Sequence, residues 1–198
     1  NNLQLIVGFS LWGICIFLLS KSGVLTSFEM PPRVPLLLVL PAFGVFAFFL
    51  INLNKRNLIS HLPISWTLYF QSFRVMVEIV ILCSFFAGIL PKAATFEGYN
   101  FDIIMGITAP IMGVFAQKNG SQSYKWILAW NILGLVTLAI VVFIVISASY
   151  FPEVWGSKEP LVSTQFTHFP ITLLPGFIMP SAVFMHVLSI MILRKKIK

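Results

Sequence analysis

Four stretches of this chain, residues 1–20, 34–54, 126–152 and 160–193, contain no Asp, Glu, Lys or Arg. Each is as long as the ~20-residue helix that crosses a ~30 Å hydrocarbon layer. Lipid offers the backbone no water to bond, so runs of this kind satisfy themselves as helices; a closed barrel would show short alternating segments instead. Charged residues make up only 10% of the chain, against about 25% in soluble domains, which excludes an ordinary soluble enzyme or binding module. Two further apolar stretches carry a few charges. The spans are expected near 3–20, 34–53, 63–90, 101–117, 125–150 and 169–193. The predicted fold is all-α: one domain over residues 1–198, an integral membrane bundle of six transmembrane helices.

Basic residues set the orientation. With a cytoplasmic N-terminus, the inner segments carry Lys55, Arg56, Lys118, Lys125, Arg194, Lys195, Lys196 and Lys198 and no acid. The outer loops carry Lys21, Arg33, Lys92 and Lys158 beside five acids. Eight against four follows the positive-inside rule, so both termini are expected in the cytoplasm and the protein in the inner (plasma) membrane. The formal charge of +7 therefore belongs to helix ends facing lipid headgroups, and nucleic acid is not an expected partner. The first span shows no small-x-small cleavage pattern after Ser20 and reads as a retained helix. Cys15 and Cys83 fall inside spans and read as small core residues. Four of the five tryptophans lie near predicted helix ends, as an aromatic belt requires; Trp12 does not.

The third span holds the chemistry. Thr67, Gln71, Arg74 and Glu78 follow one another at helical spacing and share a face. Arg and Glu facing lipid would cost several kcal/mol, so this face is expected to look inward. Arg74 and Glu78 are four residues apart and are expected to pair with each other. The face is either a site for a polar solute or proton, or an ion pair that fixes packing. Asn131 and His186 lie at similar depth in the fifth and sixth spans and are candidates to meet it, His186 as a proton carrier or as a hydrogen-bonding partner. Asn131, with Gly134 and Thr137 beyond it, suits helix–helix contacts. Between the third and fourth spans, Thr95-Phe96-Glu97-Gly98-Tyr99-Asn100-Phe101-Asp102 places Glu97, Asn100 and Asp102 at the expected outer mouth. That loop either caps a cavity or is a tight interfacial turn. Neither a divalent metal shared by Glu97, Asp102 and His168 nor a haem between His61 and His186 is demanded by the spacing. The cofactor is unknown and no metal ligands are assigned.

The even-numbered spans share a weak pattern: Leu40-Pro41-Ala42-Phe43-Gly44, Ala109-Pro110-Ile111-Met112-Gly113 and Leu174-Pro175-Gly176-Phe177. Proline interrupts a helix and small residues let neighbours pack closely, an arrangement that suits a transporter and is also common in membrane helices generally. At Gln71-Ser72-Phe73-Arg74, the following Glu78 and the 95–102 loop, the chain resembles a group of small uncharacterised bacterial membrane proteins. The resemblance implies a six-helix membrane protein and brings no activity with it.

Three functions compete. A carrier or channel for a small polar solute or ion leads, resting on the Arg74–Glu78 face and the proline-broken helices. At six helices the chain is small for a carrier, so a homodimer is a candidate assembly. A non-catalytic sensor or partner subunit is the alternative. An intramembrane enzyme or cofactor protein acting on a lipid-like substrate is the third, and no phosphate loop, GxSxG, HExxH or Cys-x-x-Cys supports it.

Overall fold

The computed structural model describes residues 2–197. Every regular element within them is helical. Helix α1 (Asn2–Lys21) leads to a π-helical turn, Pro35–Val39, that runs into α2 (Leu40–Lys55). Helices α3 (Ile64–Phe70) and α4 (Arg74–Phe86) form one rod broken by a 3-10 turn at Gln71–Phe73. Helices α5 (Asp102–Asn119) and α6 (Tyr124–Tyr150) follow. A second π-helical turn, Leu174–Ile178, opens α7 (Met179–Ile197).

Four stretches are long and apolar enough to cross a membrane: Pro35–Lys55, Ile64–Phe86, Asp102–Tyr150 and Leu174–Lys196. The third is folded in two. Trp130 Nε1 donates to Thr108 Oγ1 at 2.9 Å and Thr137 Oγ1 to Asp102 Oδ1 at 2.8 Å, so α6 runs antiparallel back along α5. Val7–Lys21 adds a shorter apolar helix.

Three of the expected spans change shape. The third ends at Phe86 rather than near residue 90, because Gly88 takes φ 71° and closes the helix. Gly88 N–H bonds Phe85 O and Ile89 N–H bonds Ser84 O, the paired bonds of a glycine-terminated helix end. The sixth opens at its π turn, Leu174–Ile178; residues 169–172 are turns, and Thr172 N–H bonds His168 O while Leu173 N–H bonds Pro170 O. The fourth begins at Asp102, but at a depth the sequence did not suggest. Asp102 lies level with Thr137, the midpoint of the 27-residue α6. The 95–102 segment therefore dips from the bundle's end, where Glu97 is exposed, to mid-depth, where Asn100 and Asp102 are buried. They are not at the mouth. Non-helical backbone at that depth is tolerated because it is enclosed by protein and bonded, as in Asn100 N–H to Thr95 O and Tyr99 N–H to Ala93 O.

Prolines explain both π turns. Pro41 and Pro180 each lie two residues beyond the end of one. A proline has no N–H for the carbonyl four residues back, and its ring crowds that carbonyl, so widening the turn relieves the clash. Pro180 leaves Gly176 O without its usual donor, and the indole Nε1 of Trp12 on α1 supplies one at 2.9 Å. That is why a tryptophan sits away from the helix ends. Ser20 Oγ donates to Thr167 O at 2.9 Å and anchors the other end of α1.

Apolar contacts gather at two levels of the main bundle. One cluster joins Ile59, Ala116, Ile127 and Ile192; the other joins Ile81, Leu90, Ala148 and Phe166. The first level carries the chain's basic helix ends, and Lys195 Nζ donates there to Asn57 Oδ1 at 2.9 Å. On α5, Gly106, Ala109, Gly113 and Ala116 are all buried and repeat at helical spacing, a small-residue face that brings its backbone close to α3 and α4.

Candidate functional site

Between those two apolar levels lies a connected set of buried polar side chains. The break at Gln71–Phe73 ends immediately before Arg74, which projects from the first turn of α4 and is 1% exposed. Its Nε donates to Asp102 Oδ2 at 2.6 Å, and its Nη2 pairs with Asp102 Oδ1. This is the side-on, two-pronged guanidinium–carboxylate contact, the strongest form of the pair. Nη2 also donates to Thr137 Oγ1 at 3.2 Å, and Nη1 to His186 Nε2 at 2.7 Å. One guanidinium thus ties α4 to α5, α6 and α7.

The partners fix the histidine. Arg74 can only donate, so His186 Nε2 accepts, and the ring proton sits on Nδ1. Nδ1–H donates to Asn131 Oδ1 at 2.9 Å. Asn131 Nδ2 donates in turn to Ile127 O at 2.8 Å and Ser189 Oγ at 3.0 Å. The imidazole is neutral in this arrangement. It fits against α6 because residue 134 is glycine: a Cβ there would land on the ring atoms Cε1 and Nε2.

Glu78 does not pair with Arg74 as its spacing suggested. The guanidinium turns to the carboxylate of another helix, whose approach permits the two-pronged geometry, and no hydrogen bond joins Arg74 to Glu78. Asn100 serves Glu78 instead: its Nδ2 donates to Glu78 Oε2 at 2.7 Å and to Ala94 O at 3.0 Å, while its Oδ1 accepts from Asp102 N–H at 2.9 Å. Asn100 thus accepts from the first N–H of α5 and holds Glu78 with one side chain. Among the described residues no donor reaches Glu78 Oε1. Asp102 and Arg74 cancel and His186 is neutral, so the charge on Glu78 is the one left to be matched by a proton or a bound cation.

Glu78 also lines a cavity. The space is about 120 Å³, its surface is almost wholly apolar, and Arg74, Glu78 and Asp102 border it. Its walls are apolar, from Val77 and Ile81 of α4, Val141 and Val145 of α6, and the two π turns through Val39 and Ile178. At its other end Phe28 and Tyr150 meet edge to face, ring centroids 5.7 Å apart at 86°.

The other expected residues divide. Gln71 is buried beside the network: Nε2 donates to Ala182 O at 3.1 Å, and Oε1 has no partner. Thr67 is buried but bonds its own helix at Ile64 O. Glu97 is exposed, with its nearest oxygen 3.9 Å from Lys92 Nζ, and is separate from Asp102's buried pairing. His168 and His61 are exposed, and both nitrogens of His186 are already committed, so neither proposed histidine grouping forms. Thr137 and Ser189 belong to the network and were not expected in it. Ser189, three residues after His186, shared a helical face with it and offered the one available signal.

Fold and site define an all-α protein of apolar helices assembled around a buried ionic network. The chain belongs to a family of unknown function, DUF8737, whose model matches residues 31–194 and so includes every member of the network. No curated protein and no solved structure matches it.

Proposed function

We propose that this protein is a six-helix integral membrane carrier for a small solute or ion, with Glu78 at the border of the cavity as its binding group. The single observation behind the reading is that an apolar cavity is bordered by a buried carboxylate, to one oxygen of which Asn100 donates. Broken helices beside a mid-depth site are how membrane carriers expose backbone and side chains to cargo, and the cavity is walled by two π turns and lies against the 3-10 break. In this reading α5 and α6 are separate crossings, both termini face the cytoplasm, and the membrane is the plasma membrane.

The experiment is flux in proteoliposomes holding a pH-sensitive dye, with candidate solutes added outside. Solute-dependent proton movement that is present in the parent and lost in Glu78→Gln supports the carrier. The same movement in both proteins overturns it. A second reading, a non-catalytic partner subunit, is favoured by the four contacts that Arg74 makes to three residues on three other helices, which is what a purely structural brace would show. A stable stoichiometric complex in mild detergent, unchanged by Glu78→Gln, would support that reading over the carrier.

A further inference from the structure

We propose that the ligand of this cavity is a small organic ammonium ion with a slender apolar body, its nitrogen at Glu78 and its body along α6. The inference rests on the carrier reading of the same site and names its substrate class. Three features of the site select this chemistry. The first is sign. Arg74 is engaged by Asp102, Thr137 and His186, so the guanidinium is not available to an incoming anion, which would meet Glu78 and Asp102 instead. The second is coordination number. A bare metal cation seeks about six oxygens, whereas Asp102's oxygens are held by Arg74 and Thr137 and Glu78 offers one. An ammonium needs only a few acceptors, and its carbon body needs none. The third is the wall. Leu138, Val141, Val142, Val145 and Ile146 repeat at helical spacing along the cavity, a surface for carbon.

The far end suits the same ligand. Tyr150 and Phe28 close it with aromatic carbon, packed edge to face. The volume of about 120 Å³ corresponds to roughly four waters at ~30 Å³ each, so the body must be short and thin.

The test is calorimetric titration of the full chain, purified in an uncharged maltoside detergent, with propylammonium, propanol, propionate and potassium chloride. Saturable binding of propylammonium, at least ten-fold tighter than propanol or propionate, is expected, with no heat from potassium. Glu78→Gln is expected to abolish it. Val141→Phe, which fills the cavity and leaves Glu78 in place, is expected to abolish it as well, and it decides the matter if Glu78→Gln does not fold. Equal binding of propanol, tighter binding of propionate, binding that survives either substitution in a folded protein, or no binding of propylammonium overturns the proposal. Ammonium binding without flux in proteoliposomes would uphold this inference while removing the carrier reading. Glu78-dependent flux of another solute, with no ammonium binding, would do the reverse.

Discussion

At the scale of single residues, two acids close together in sequence depth do different work. Asp102 neutralises Arg74; Glu78 faces the cavity. Removing one member of a buried ion pair typically costs about 3–5 kcal/mol, because the other charge is stranded. Asp102→Asn is therefore expected to lower the melting temperature strongly in detergent. Glu78→Gln keeps an oxygen for Asn100 and is expected to leave the melting temperature near that of the parent; a fall as large as that of Asp102→Asn would show that Glu78 is structural. Gly134→Ala pushes a methyl into the His186 ring and is expected to cost about 1–3 kcal/mol as an overpacked core does, measured by the same thermal assay. Much of this site was legible from the chain. Helical spacing put Gln71, Arg74 and Glu78 on one inward face, and Asn131 and His186 at its depth. The pairing was not legible, since adjacency on a helix favoured Arg74 with Glu78. The better partner arrives from 28 residues away, on a segment whose descent into the bundle leaves no mark in composition.

At the scale of elements, the prolines were visible and their consequence was not. Sequence patterns grouped Pro41, Pro110 and Pro175, but the residues that share a structural role are Pro41 and Pro180, each just past a π turn. Pro110 lies inside a continuous α5. The link from Pro180 to Trp12 makes a specific prediction. Trp12→Phe leaves Gly176 O without its donor, and an unmet buried acceptor costs about 1–3 kcal/mol, so the melting temperature should fall. Adding Pro180→Ala restores an N–H four residues on and should recover part of the loss. If Trp12→Phe is silent, the indole bond is not what seats α1 on the bundle. Helix ends followed local chemistry in the same way: Gly88 stopped α4 earlier than its apolar run implied.

At the scale of the molecule, the all-α fold is present with four stretches long and apolar enough to cross a membrane, and apolar run length was enough to find those. Their connection through one guanidinium was not. Arg74 bonds to α5, α6 and α7 at once, between an apolar level at the basic end and another at the acidic end. The orientation is open to direct mapping: a single cysteine placed at Glu97 should react with an impermeant maleimide added outside whole cells, and one at Lys118 should not. The opposite pattern would invert the topology. The division of labour between brace and cavity is tested most directly by a pair of double-mutant cycles on thermal stability, Arg74→Leu with Asp102→Leu and Arg74→Leu with Glu78→Leu. A large coupling in the first cycle and a small one in the second is the expected result. A larger coupling between Arg74 and Glu78 would mean that Glu78 is part of the brace, and the cavity would lose its binding group.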